Sequence, residues 1–277
     1  MPSIKLENCT KCLKCVKDCP SDAIEIEQGI INDSCIHCGH CVAICPESTI
    51  YPEGEGITKL ESSGIAPTHF RQLSANIRTC RSYKKKEVEK ETLNLLIENM
   101  KHYPSASNAR PIEITAVNTP EIIEKLNERT GQTLIKSMQM VTSAIMMPIM
   151  KVLAPKINVT RLNNYKRRFK EKNVAGSSLI CHHAPSVLLF HAPISRYGME
   201  CADAYIWATY TSIYANTLGL GTCFNGFITN AMDRSKPMLK EFGIPEDHRV
   251  HAALLLGHPK VKYLHEAGRD APPSRFL

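Results

Sequence analysis

The residues with the most legible chemistry are cysteines: of twelve in the chain, eight lie before residue 46. They form two runs, Cys9-Thr10-Lys11-Cys12-Leu13-Lys14-Cys15-Val16-Lys17-Asp18-Cys19-Pro20 and Cys35-Ile36-His37-Cys38-Gly39-His40-Cys41-Val42-Ala43-Ile44-Cys45-Pro46. Each reads C-x2-C-x2-C-x3-C-P, a spacing in which three thiolates wrap an iron–sulfur cubane and the fourth reaches the other cluster. Cys9, Cys12, Cys15 and Cys45 are therefore expected to hold one [4Fe–4S] cluster, and Cys35, Cys38, Cys41 and Cys19 a second. A structural zinc site is the alternative. Zinc ribbons use two ligand pairs, whereas here three thiolates fall within seven residues and the motif is doubled. A disulfide framework would suit a secreted miniprotein. No apolar signal-peptide core precedes Cys9, so cluster binding is favoured.

Four later segments carry groups suited to a phosphorylated, planar ligand. Arg78-Thr79-Cys80-Arg81-Ser82-Tyr83-Lys84 offers cations and a hydroxyl, the groups that hold a phosphate. Pro104-Ser105-Ala106-Ser107-Asn108-Ala109-Arg110-Pro111 is a polar turn whose hydroxyls and amide can bond a sugar-like chain or a heteroaromatic edge. In Gly219-Leu220-Gly221-Thr222-Cys223-Phe224-Asn225-Gly226, glycines allow close backbone approach to a flat ring. The fourth runs from Gly243-Ile244-Pro245-Glu246 to Gly257-His258-Pro259-Lys260, with Arg269 and Arg275 beyond it. Taken singly, each also reads as an ordinary surface, turn or helix terminator. Cys80, Cys181, Cys201 and Cys223 are isolated and read as small buried hydrophobes. His182, His183, His251 and His258 are scattered and read as satisfied structural histidines. Trp207 and Tyr210 read as core or dimer contacts. There is no nucleophile elbow, Walker loop or G-x-G-x-x-G turn.

The elements that must position these groups divide the chain. Ala23–Ile26 and Thr49–Tyr51 follow the two Cys-Pro pairs and predict short strands in residues 1–56. Residues 57–66, with the Pro52–Gly56 turn formers before them, read as a linker. From residue 67 to 277 the texture changes to helices separated by apolar strands. Helices are predicted over Thr68–Thr79 and Val88–Lys101, from Thr119-Pro120 to a stop at Gly131, and over Met199–Leu218. Strands are predicted over Ile112–Val117, Ser186–His191, Thr222–Ile228 and Val250–Leu256. The Met-rich stretch from Met138 to Phe169 reads either as a lid or as a Pro-interrupted core or interface helix.

Residues 1 to about 55 resemble bacterial two-cluster ferredoxins. From residue 67 to about 270, the order Arg-Ser-x-Lys, Pro-Ser-x-x-Asn, Gly-Leu-Gly-Thr-Cys, Gly-Ile-Pro-Glu and an apolar strand ending Leu-Gly-x-Pro resembles the nitroreductase family. The resemblance implies an α+β fold, a nitroreductase-like mixed sheet flanked by helices, preceded by a small ferredoxin-like domain. It implies FMN, with Arg81, Ser82 and Lys84 on the phosphate and ribityl end and Arg269, with Arg275, adding contacts from the tail. Ser105, Ser107 and Asn108 would approach the ring from the other subunit of a homodimer, and the Asn225-Gly226 backbone would face it near N5. Cys80 departs from the Arg-Arg-Ser run of many members, which shifts weight to Arg78 or the tail arginines. A ferredoxin fusion of this kind matches a subgroup associated with anaerobes. The implied activity is an oxidoreductase relaying electrons between clusters and FMN to a small acceptor, nitroaromatic or quinone-like. Its electron donor would be external, such as a ferredoxin or NAD(P)H. The alternatives are an NAD(P)H-dependent FMN reductase exporting electrons through the clusters, and a non-enzymatic electron-transfer or redox-sensing module.

The chain has 277 residues, 43% of them hydrophobic and 22% charged, an ordinary globular profile. No apolar run is long enough to span a bilayer, and the expected location is the cytoplasm. The net charge of +7 arises from scattered basic residues with short clusters at Lys84–Lys86 and Lys166–Arg168. No nucleic-acid-binding motif accompanies them. These charge clusters read as solvated surface, and a docking surface for an acidic electron donor is the functional alternative.

Overall fold

The computed structural model describes residues 1–52, 56–153, 158–173, 178–195 and 198–277. Residues 53–55, in the turn formers before the expected linker, and 154–157 of the Met-rich stretch fall outside these ranges. The chain forms two compact units, one comprising Met1–Ile65 with Pro104–Arg110, the other Ala66–Tyr103 with Pro111–Leu277.

The first unit is an internal duplication. Strands β1 (Ser3–Ile4) and β4 (Ile50–Tyr51) pair antiparallel, as do β2 (Ile24–Glu25) and β3 (Ile30–Ile31). Helix α1 (Lys14–Lys17) corresponds to α2 (His40–Ile44). The repeat extends to backbone conformation. Lys11, Leu13 and Asp22 are left-handed at φ 52°, 58° and 50°, and their counterparts His37, Gly39 and Ser48 at 54°, 76° and 52°. A left-handed residue reverses the chain sharply and suits a loop that must turn several thiolates toward one point. Ile24, Ile26 and Ile50 form a small core with Cys15 and Cys41.

In the second unit, helices α3 (Pro67–Asn76) and α4 (Lys90–Glu98) precede strand β5 (Glu113–Val117), and helices α5 (Pro120–Val141), α6 (Met146–Leu153) and α7 (Val159–Asn173) follow it. Strand β6 (Ser186–Pro193), helix α8 (Glu200–Thr217), strand β7 (Gly221–Phe224), helices α9 (Gly226–Met232) and α10 (Lys236–Glu241) and strand β8 (His248–Gly257) complete it. The sheet order is β5-β6-β8-β7, with antiparallel neighbours, and a parallel bridge from Thr79 to Thr222 adds to it at β7. Strands β6 and β8 are apolar on both faces because both are covered. Val187, Leu189, Ala253 and Leu255 pack with α5, α9 and α10 through Leu126, Ile228 and Met238. Leu188, Phe190, Leu254 and Leu256 alternate with them and meet Leu96 of α4 and Trp207 of α8.

Two expected boundaries differ. Helix α5 does not stop at Gly131; it continues to Val141, with Gly131 buried inside it. Ile123, Leu126, Thr130, Leu134 and Met138 make one continuous buried stripe, and packing along that stripe outweighs the roughly 1 kcal/mol penalty of a helical glycine. The expected strand Thr222–Ile228 ends at Phe224, where Asn225 starts α9 by accepting hydrogen bonds from Phe227 and Ile228 N–H on its side-chain oxygen. In the Met-rich stretch, Met138 and Phe169 are buried, while Ile145, Val152 and Leu153 are exposed.

Candidate functional site

The cysteines of the first unit line two cavities. One is walled by Cys9, Cys12, Cys15 and Cys45. The other is walled by Cys35, Cys38, Cys41 and Cys19. Each draws three cysteines from one run and the fourth from the other. Backbone N–H groups point at the sulfurs in matched pairs: Lys11 to Cys9 and His37 to Cys35, both at 3.4 Å, and Ala23 to Cys19 at 3.3 Å and Thr49 to Cys45 at 3.4 Å. Such bonds favour thiolate and tune a bound cluster. Burial pushes the Cys15 and Cys41 thiols up. At Cys19 and Cys45 burial also acts upward, but the surrounding N–H and hydroxyl donors outweigh it and the net shift is down.

The Pro104–Arg110 loop belongs to this unit. Ser105 Oγ accepts from the Arg110 N–H at 2.9 Å, and Ser107, Asn108 and Arg110 are left-handed at φ 50°, 52° and 47°. Asn108 Nδ2 donates to the Ile36 and His37 carbonyls at 3.2 and 2.8 Å. Its amide is thus engaged with the second cysteine loop, a contact that differs from the flavin contact implied by resemblance.

In the second unit the Arg81–Lys84 segment is stitched to the sheet. Cys80 N–H donates to Thr222 O at 2.8 Å, Lys84 N–H to His258 O at 2.8 Å, and Lys260 N–H to Ser82 O at 2.9 Å. Tyr83 is buried and its hydroxyl donates to Cys80 O at 2.8 Å. Burial pushes that hydroxyl's pKa up, so it remains a neutral donor. The close approach needs glycine at two positions. A Cβ on Gly221 would stand 2.8 Å from Cys80 Cβ and Sγ, and one on Gly257 2.5 Å from Pro185 Cδ. Arg81 and Lys84 are left exposed and Ser82 half-buried. Arg78 is engaged elsewhere, its Nη1 donating to Ala75 O and Ile77 O at 2.6 and 2.8 Å. Arg269 and Arg275 lie in an exposed C-terminal segment outside any helix or strand.

Asn225 is buried and its side chain is engaged at both ends, Nδ2 donating to Ile180 O at 2.7 Å while Oδ1 caps α9. Its backbone N–H bonds Ala253 O at 2.8 Å. Gly226 next to it is exposed, with nothing within 4 Å of a built Cβ. Between the basic segment and Gly226 runs β7, which at about 3.4 Å per residue separates them by roughly 10–14 Å.

Gly226 opens onto a cavity of about 340 Å³ that also exposes Cys201, Tyr205, Glu200, Arg249 and His251. Arg249 is held by Asp233 in a two-pronged ion pair of 2.9 and 3.1 Å. The Ser195 hydroxyl donates to Glu200 and holds its carboxyl below the usual range. The register slips by one residue between Phe190 and His191 against β8, leaving His251 unpaired in the ladder and at the cavity. Burial, then the Arg249 charge, push His251 down. Tyr205 stacks on Phe224 at 6.0 Å. None of these cavity residues was singled out as a site from sequence, and Cys201 is exposed where an isolated cysteine was read as buried. Cys80, Cys181 and Cys223 are buried as expected. A second missed grouping is His191 and His248, both buried, with Nδ1 atoms 2.9 Å apart.

A search of curated proteins returned no match. Residues 1–59 match the pattern of a 4Fe-4S dicluster domain. Among solved structures, a nitroreductase with bound FMN from Bacteroides fragilis is similar at TM-score 0.57 and 19% identity, covering 75% of this chain and 97% of that one. A nitroreductase with bound FMN from Desulfitobacterium hafniense gives 0.54 and 17%, covering 72% and 93%. A BluB-like flavoprotein from Clostridium difficile gives 0.54 and 15%, covering 73% and 94%. These likenesses concern the fold. The nitroreductase family pattern itself matches residues 75–258, most of the second unit, with the Arg81–Lys84 segment at its start and the β8 strand at its end. The chain belongs to the nitroreductase family and carries a 4Fe-4S dicluster domain at its N-terminus.

Proposed function

We propose that this protein is an FMN-dependent oxidoreductase that moves electrons between two [4Fe–4S] clusters and FMN to reduce a small acceptor. The observation that carries the reading is the pair of cysteine-walled cavities, each completed by a cysteine of the opposite run. This is the donor set and connectivity of two interlocked cubanes. When bound, the clusters carry single electrons and FMN exchanges them for the pair an acceptor takes up.

The residues of the second unit fit the flavin. Arg81 and Lys84 supply charge, and Ser82 a hydroxyl, for the phosphate. The Gly226 backbone, lacking a side chain, leaves room for a flat ring against the end of β7. Ser105, Ser107 and Asn108 would complete the ring's surroundings across a homodimer. The domains are taken as residues 1–56 and 67–277. The cavity at Gly226 favours an enzyme over a pure electron carrier, because it leaves space for an acceptor beside the expected ring position. Tyr205, which lines the cavity and stacks behind on Phe224, suits a nitroaromatic or quinone-like acceptor.

Cys12→Ala tests the relay. The variant is expected to lose turnover driven by a reduced ferredoxin, while dithionite-reduced variant protein still reduces a nitroaromatic acceptor. Undiminished ferredoxin-driven activity would contradict the proposal.

A further inference from the structure

Strand pairing brings three metal-binding side chains to one margin of the sheet. Glu113 on β5 stands directly opposite His191 on β6, and His248 on β8 is opposite Pro193, two residues beyond His191 on the same face. Their ligand atoms all lie within 4.8 Å of one another. Both imidazoles are buried, His191 at 3% and His248 at 6% exposure, and Glu113 is exposed. The Nδ1 atoms of the two histidines are 2.9 Å apart. At the other side of the His191 ring, Thr115 Oγ1 lies 3.0 Å from Nε2. A hydroxyl accepting the Nε2 proton fixes the tautomer with the Nδ1 lone pair turned toward His248 and Glu113, the outer-shell arrangement typical of metal-bound imidazole.

We propose that Glu113, His191 and His248 bind a divalent transition-metal ion, with Zn²⁺ the best-suited, independently of the clusters and the flavin. Two imidazole nitrogens and one carboxylate form a borderline donor set that suits zinc better than magnesium or calcium. Zn–N bonds of about 2.0–2.1 Å in tetrahedral geometry put the two nitrogens ~3.3 Å apart, so they need to part by only a few tenths of an ångström. The fourth position faces the side on which Glu113 is exposed and would hold water. The ion would tie β5, β6 and β8 together at the end where β6 leaves the sheet. The competing arrangement is a neutral His–His hydrogen bond with no ion.

The test uses protein loaded with clusters and flavin, which occupies the eight cluster thiolates, and the probe is ZnCl₂ in equilibrium dialysis with metal counted per chain. Wild type is expected to take up one zinc that His248→Asn does not, and to gain in melting temperature on zinc addition where the variant does not. Because His248→Asn also removes a buried partner on which folding can depend, Glu113→Gln provides a second arm that leaves the histidine pair in place, and zinc affinity should fall at least tenfold. Cys201→Ala should bind as wild type. No uptake by wild type at micromolar zinc, uptake undiminished in Glu113→Gln, or uptake lost in Cys201→Ala would overturn the proposal.

Discussion

At Cys181 the thiol is wholly buried and burial pushes its pKa up to about 12, whereas Cys201 is exposed at the cavity beside Gly226. Iodoacetamide at pH 8 is therefore expected to modify Cys201 and spare Cys181 in the cluster-loaded protein, read by peptide mass mapping. The same shift sets a pH dependence. The unfolded thiol ionises near its ordinary value of 9.0 and the folded one near 12, so the contribution is intact below about pH 9 and is lost as pH rises toward 12. Stability across that window, measured by chemical denaturation, should fall more steeply with pH for wild type than for Cys181→Ala. The grouping of the eight cysteines around two cavities was legible in the sequence, since their spacing is local and repeated and no long-range contact is needed to read it. His191 and His248 were not. They meet only through the register of β6 against β8, shifted by a bulge that periodicity does not announce.

The position of Arg81–Lys84 depends on how closely the chain passes β7 and β8. Gly257 lies where a Cβ would stand 2.5 Å from Pro185 Cδ and 2.8 Å from Tyr83 Cδ1. Gly257→Ala is expected to cost about 1–3 kcal/mol by overpacking. Because Tyr83 sits between Ser82 and Lys84, it should also weaken flavin retention, checked by chemical denaturation and by fluorescence titration with FMN. Unchanged stability would show that the segment is not held as described. Most elements were readable from apolar periodicity. The exceptions were tertiary: the stripe from Ile123 to Met138 carries α5 through Gly131, and the side chain of Asn225 turns an expected strand end into a helix start. The second of these had a local signal, an Asn preceding a helix-compatible run, which the glycine beside it obscured.

For the whole molecule, the division into an N-terminal iron–sulfur part and a larger α+β part followed from the contrast between a dense cysteine repeat and later helix–strand alternation. That Pro104–Arg110 groups with the first unit did not, because the grouping rests on Asn108 meeting two carbonyls of the second cysteine loop. Whether one chain carries both kinds of redox centre is read out by anaerobic purification followed by iron, sulfide and extracted-flavin assays. About eight irons, about eight sulfides and one FMN per chain are expected. About four irons would mean that only one cysteine-walled cavity holds a cluster, and eight irons without flavin would contradict the flavoenzyme reading of the second unit.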